Sequence, residues 1–121
     1  MGSVRLQNIY VRTKDMGASR EFYEGMLGVS PSSADGDHWI QYKLGNANFA
    51  LAGARERTEA DIVAVFEVDS LADIGSEAAR LGGTVMDRRD MGGHGEVLTV
   101  ADPAGVIVQF FMRHAEKADG R

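Results

Sequence analysis

The chain has 121 residues, which is one ordinary domain and enough to bury roughly 65% of the surface an unfolded chain exposes. It has no cysteine, so disulfide frameworks, thiolate metal sites and cysteine nucleophiles are excluded. Its net charge of −5 and pI of about 5.1 argue against nucleic acid, whose affinity rests on Lys and Arg. No apolar run is long enough for a transmembrane helix, and Met1 to Val4 lacks the features of a signal peptide. The expected location is the cytoplasm.

In chain order, Leu6 to Thr13 alternates, with Ile9 and Val11 on the apolar side of a strand. Asp15 is placed to cap a helix through Ser19 to Leu27, whose Ala18, Phe22 and Met26 recur at helical spacing. Gly28 is its expected stop. Ser30 to Asp37 reads as a loop. His38 to Leu44 is a strand, Gly45-Asn46 a turn, and Asn48 to Ala52 a closing strand. Gly53 to Ala60 is polar and reads as an exposed connection.

The pattern then restarts. Ile62 to Val68 is a strand, and Asp69 or Ser70 caps a second helix carrying Leu71, Ile74, Ala78 and Leu81. Gly82-Gly83 ends that helix. Thr84 to Arg88 is a short strand and Arg89 to Gly95 a glycine-rich loop. Glu96 to Ala101 and Val106 to Met112 are strands joined by the turn Asp102-Pro103-Ala104-Gly105. The polar stretch from Arg113 to Arg121 is expected to fray. Asp15, Ala18, Leu27 and Gly28 recur as Asp69, Ala72, Leu81 and Gly82 at a constant offset of 54 residues. A fixed offset marks a duplicated unit of strand, helix and three strands. The expected fold is therefore α+β, a single domain over 1–121 of two βαβββ modules at about 4–53 and 61–113. A concave groove formed by the modules is the natural ligand site.

Three stretches carry a family resemblance: Leu6-Gln7-Asn8-Ile9-Tyr10-Val11 with Asp15; Ser19, Phe22-Tyr23 and Leu27-Gly28; and Asp102-Pro103-Ala104-Gly105 followed by Val106 to Phe110. Their order and spacing resemble the vicinal oxygen chelate superfamily of glyoxalases, bleomycin-resistance proteins and extradiol dioxygenases. The resemblance implies four metal-ligand positions, near the middle of the first and last strand of each module. Here these positions are Asn8, Ala50, Val63 and Gln109. Two amides and two hydrocarbons do not compete with water for zinc, iron or nickel. No metal and no other cofactor is expected, with His38, His94 and Glu67 as the residues from which an unforeseen ligand set would come.

If Asn8 faces the groove, strand parity adds Tyr10, Arg12, Trp39, Gln41, Val63, Val65, Glu67, Ile107, Gln109 and Phe111. That face suits a flat, partly apolar ligand. Its plainer alternative is that Trp39 simply packs in the sheet or at an interface. Ser30 to Asp37 and Arg89 to Gly95 are expected at the rim. Gly92-Gly93-His94-Gly95 is no phosphate loop, because it lacks the Lys-Ser/Thr ending. No nucleophile constellation is visible. Glu67, taken to lie in apolar surroundings, and Tyr10 are the acid/base candidates.

The resemblance points first to the metal-less bleomycin-resistance branch, which implies a homodimer that sequesters a small aromatic molecule, an antibiotic or a toxin. The acidic balance would favour a cationic one. The alternative is a glyoxalase-like lyase or isomerase, or another enzyme of the superfamily. No nucleic-acid or membrane partner is expected.

Overall fold

The computed structural model describes residues 3–54 and 60–114. The connection around 55–59 and the tail from 115 lie outside the described residues. The chain divides into two units, Leu6–Ala64 and Val65–Arg121 together with Met1–Arg5. No described helix is long and apolar enough to cross a membrane.

The first unit is built from β1 (Val4–Arg12), α1 (Met16–Leu27), β2 (Ser33–Asp35), β3 (Trp39–Leu44) and β4 (Ala47–Ala52), in the strand order β2-β3-β4-β1. β1 contributes its first two residues to the second unit. β1 and β4 pair in parallel, whereas β3 is antiparallel to both β4 and β2. α1 starts where the Asp15 side chain accepts from the Ala18 N–H at 3.0 Å. It stops at Gly28, whose φ of 66° is the left-handed conformation that a helix end needs and a side chain disfavours. The core gathers Met16, Ile40, Tyr42 and Leu51, with Val11, Tyr23, Val29 and Phe49 packed against them. Each aliphatic side chain fully buried in this way contributes roughly 1.5–3 kcal/mol. The Tyr42 hydroxyl inside this core donates to Glu24 Oε2 at 2.8 Å, and the same oxygen accepts from Arg20 Nε at 2.7 Å.

The second unit repeats the plan with β5 (Ile62–Val68, whose first three residues belong to the first unit), α2 (Ile74–Arg80), β6 (Thr84–Asp90), β7 (Gly95–Ala101) and β8 (Ile107–Arg113), in the order β5-β8-β7-β6. Its core is Val68, Leu71, Ile74, Leu98 and Val100, with Ala78, Val108, Phe110 and Met112 packed on it. Asp102 Oδ1 closes the turn before β8 by accepting from the N–H groups of Ala104 and Val106 at 2.8 and 2.9 Å.

Four expectations are corrected. The loop Ser30 to Asp37 contains β2, paired Ser33 to Gln41 and Asp35 to Trp39; its three residues are all exposed, so no apolar alternation marks it. α2 begins later than its expected caps. The Ser70 hydroxyl accepts from the Ala72 N–H at 3.0 Å and Asp69 accepts from the Ser3 N–H at 3.0 Å, so both are spent on other bonds. The glycine-rich loop is shorter than expected, because Arg89 and Asp90 extend β6, Gly92–His94 forms a 3-10 helix and Gly95 opens β7. Arg113 belongs to β8 rather than to a frayed tail, pairing with Gly95; the rest of the expected frayed stretch, from 115, lies outside the described residues.

Candidate functional site

The face of the first unit turned away from α1 carries the residues that strand alternation selects. Register sets Tyr10 beside Ala50 and Gln41, and Arg12 beside Ala52 and Trp39. β4 lies between β1 and β3, which therefore run about 10 Å apart. Yet the Tyr10 and Trp39 rings meet with centroids 5.3 Å apart, tilted by 59°. They reach each other by leaning over β4, where Ala50 and Ala52 are wholly buried and small enough to leave the room. Trp39 Nε1 donates to Gln41 Oε1 at 3.2 Å, fixing the indole edge. Arg12 is drawn off to Asp61 at 3.0 Å.

Asn8, two residues before Tyr10 on β1, is 7% exposed, and its Oδ1 has no hydrogen-bond donor among the described residues. Leaving a buried amide oxygen unmet costs roughly 1–3 kcal/mol. Asn48 is engaged elsewhere, donating from Nδ2 to the Gln7 carbonyl at 3.0 Å.

On the second unit, register lines Phe111 with Val97 and Arg89, and Gln109 with Thr99 and Asp87; Ile107 pairs with Ala101. Gln109 Nε2 donates to Thr99 Oγ1 at 3.1 Å. Val65 is buried on β5, as is Val63, which belongs to the residues of the first unit. The apolar setting expected for Glu67 is corrected. Its carboxylate sits 2.6 Å from Arg5 Nη2 and 3.4 Å from Arg113 Nε, between two guanidiniums. Those two arginines and Thr99 were absent from the expected set, and Arg89 was expected only as the start of a rim loop. Parity along β7 and β8 picks out Thr99 and Arg113, whereas Arg5 follows only once β1 is known to begin at Val4.

The positions assigned to metal ligands do not fit a metal. Ala50 and Val63 offer no donor atom, and Asn8 and Gln109 offer only neutral amide oxygens, Gln109 donating from Nε2 to Thr99. Among the described residues no group of three or more His, Asp and Glu side chains is placed to hold an ion. His94 is exposed and His38 is half-buried. A cavity of about 110 Å³ in the second unit is lined by Ser3, Val4, Val68, Asp69, Ser70, Asp73 and Ile74, none of them an expected site residue. It is smaller than the roughly 300–1,000 Å³ typical of ligand pockets.

The sequence model of the glyoxalase-like domain matches residues 8–111. The chain belongs to the glyoxalase-like domain family. The α+β fold of this glyoxalase-like protein is shared with solved members of the vicinal oxygen chelate superfamily. A glyoxalase/bleomycin resistance protein/dioxygenase superfamily member from Vibrio splendidus 12B01 superposes with a TM-score of 0.65 at 15% identity, covering 91% of this chain and 99% of that one. A hypothetical protein from Bacillus halodurans C-125 gives 0.76 at 13% identity, covering 94% and 97%. Homoprotocatechuate 2,3-dioxygenase from Brevibacterium fuscum gives 0.67 at 26% identity over 93% of this chain, which spans only 38% of that longer enzyme. No curated protein matches the glyoxalase-like chain.

Proposed function

We propose that this glyoxalase-like protein binds a small, partly aromatic molecule without a catalytic metal and acts by sequestering an antibiotic or toxin, as a cytoplasmic homodimer. The observation that carries this reading is the buried, unmet Oδ1 of Asn8 beside the Tyr10–Trp39 pair. An acceptor without a partner next to two aromatic rings suits a flat ligand that brings a donor. Gln41 and Val63 are the remaining expected ligand contacts on the first unit, and Val65, Glu67, Gln109 and Phe111 are those expected on the second unit. The donor set Asn8, Ala50, Val63 and Gln109 supports binding rather than metal chemistry. A lyase or isomerase using Glu67 as acid or base has less support, because Arg5 and Arg113 already engage both carboxylate oxygens.

Trp39 is the only tryptophan, so its emission reports on this face directly. A panel of aromatic and glycopeptide antibiotics is titrated against the protein while that emission is followed. The expected result is saturable quenching by at least one compound, weakened about tenfold or more by Asn8→Leu, in line with the loss of one buried hydrogen bond. Quenching that survives Asn8→Leu unchanged, or none across the panel, sinks the reading. In parallel, zinc, nickel, manganese and ferrous iron are titrated by calorimetry; micromolar binding at one site per chain would favour the enzyme reading instead.

A further inference from the structure

The overall charge is negative, but one sheet face of the second unit brings Arg5, Arg113 and Arg89 together, beside Glu67 and Asp87. Glu67 is only 17% exposed in its side chain and is tightly held by Arg5 at 2.6 Å. Arg113 reaches the same carboxylate only at 3.4 Å, from both Nε and Nη2. That is longer than the roughly 2.7–2.9 Å of a well-made charge-assisted bond. Its side chain is 56% exposed, and its guanidinium lies 5.6 Å from the centre of the Phe111 ring. The ring in turn lies against Gly95, where an added Cβ would come within 2.9 Å of Phe111 Cε1. Arg113 is thus presented on an aromatic platform, with its carboxylate partner already satisfied by a closer cation.

A second cation shares the face. Arg89 falls in one cross-strand row with Val97 and Phe111, and its Nε–H is buried with no acceptor among the described residues. A donor left unmet in this way gains a bond when its flexible side chain turns toward an incoming anion. Between these cations the apolar contact on offer is the half-buried Phe111 ring, with Val97 buried beneath it at 5% exposure.

We infer that this face recognises an apolar carboxylic acid, the carboxylate bound by Arg113 with Arg89 in support and the hydrocarbon body lying on the Phe111 ring. The inference rests on the small-molecule reading above and adds the ligand's charge and class. It reverses, at this place, the preference for a cationic ligand that the net charge suggests. Long-range attraction follows the total charge, whereas a bidentate contact follows the nearest guanidinium.

The test is a titration followed by nuclear magnetic resonance, reading the Arg113 side-chain Nε–H and the Phe111 amide. Benzoate, its neutral isostere benzamide, and inorganic phosphate are the probes. Saturable shifts with benzoate, at least about tenfold weaker with benzamide and with phosphate and at least about tenfold weaker in Arg113→Gln, are the expected result, the scale of one charge-assisted bond. Arg89→Gln, which leaves Arg113 and its ion pair in place, is expected to weaken benzoate as well and covers the case in which Arg113→Gln does not fold. Equal binding of benzoate and benzamide overturns the inference while leaving small-molecule binding intact. Binding of phosphate in place of benzoate overturns the carboxylate class. Absence of any shift at Arg113 and Phe111, with Trp39 still quenched by a drug, overturns the inference alone.

Discussion

Tyr10 and Trp39 come from strands that do not pair, yet their rings stand 5.3 Å apart across β4. The contact exists because Ala50 and Ala52 beneath them carry one methyl group each. Ala52→Leu adds three carbons to a wholly buried position. We expect it to cost about 1–3 kcal/mol in urea unfolding, as overpacking does, and to shift the Trp39 emission as the rings part. An unchanged emission spectrum would mean that the rings do not depend on the alanines.

Asn8→Leu separates stability from binding. Removing an unmet buried acceptor and substituting a side chain of similar shape is expected to stabilise the ligand-free protein by about 1 kcal/mol or more. The same change weakens ligand binding. A fall in the urea midpoint on Asn8→Leu would show that the amide is satisfied in the free protein.

Tyr42 provides a pH signature. Burial, and secondarily its hydrogen bond to Glu24, raise its pKa from 10 to about 12. An unfolded tyrosine loses its proton near 10, so between that value and about 12 the unfolded state holds fewer protons than the folded one. Stability from this group is therefore intact below 10 and falls as pH rises toward 12. Tyr42→Phe is expected to cost about 1 kcal/mol at neutral pH and to remove this part of the alkaline decline. Unfolding curves at about pH 8 and about pH 11, with phenolate absorbance alongside, decide the point.

Two glycines answer in opposite directions. A Cβ at Gly53 would clash with the Asp37 carbonyl oxygen, with backbone on both sides of the clash. Gly53→Ala is expected to lower the melting temperature sharply, by the equivalent of about 2 kcal/mol or more. Gly25, inside α1, has nothing within 4 Å of an added Cβ. Gly25→Ala is expected to stabilise the fold by about 0.5–1 kcal/mol, the helix penalty of glycine. Parallel thermal melts of the two variants are sufficient.

Wherever side chains alternate against a core, the fold was legible in the sequence. β5 falls at Ile62–Val68 as expected, and α1 carries its expected cap and stop at Asp15 and Gly28. β2 was not, since Ser33, Ala34 and Asp35 face solvent and hold their place through β3 alone. The start of α2 was missed because Asp69 and Ser70 are good caps whose oxygens are claimed by Ser3 and Ala72. The same alternation brought Tyr10, Trp39 and Gln41 to one face. It could not show that Glu67 meets two arginines, because Arg5 lies 62 residues away from it and parity carries no charge.

That distance bears on how the chain is made. Ser3 bonds to Asp69 across 66 residues and Arg5 to Glu67 across 62, although α1 and its strands follow β1 directly. A ribosome adding about 5–20 residues each second needs several seconds more before the partners of Ser3 and Arg5 emerge. Until then the leading end of β1 carries exposed Val4 and Leu6 beside unpaired backbone, which is a template for neighbouring chains. Slower synthesis lengthens the interval in which that template stays open.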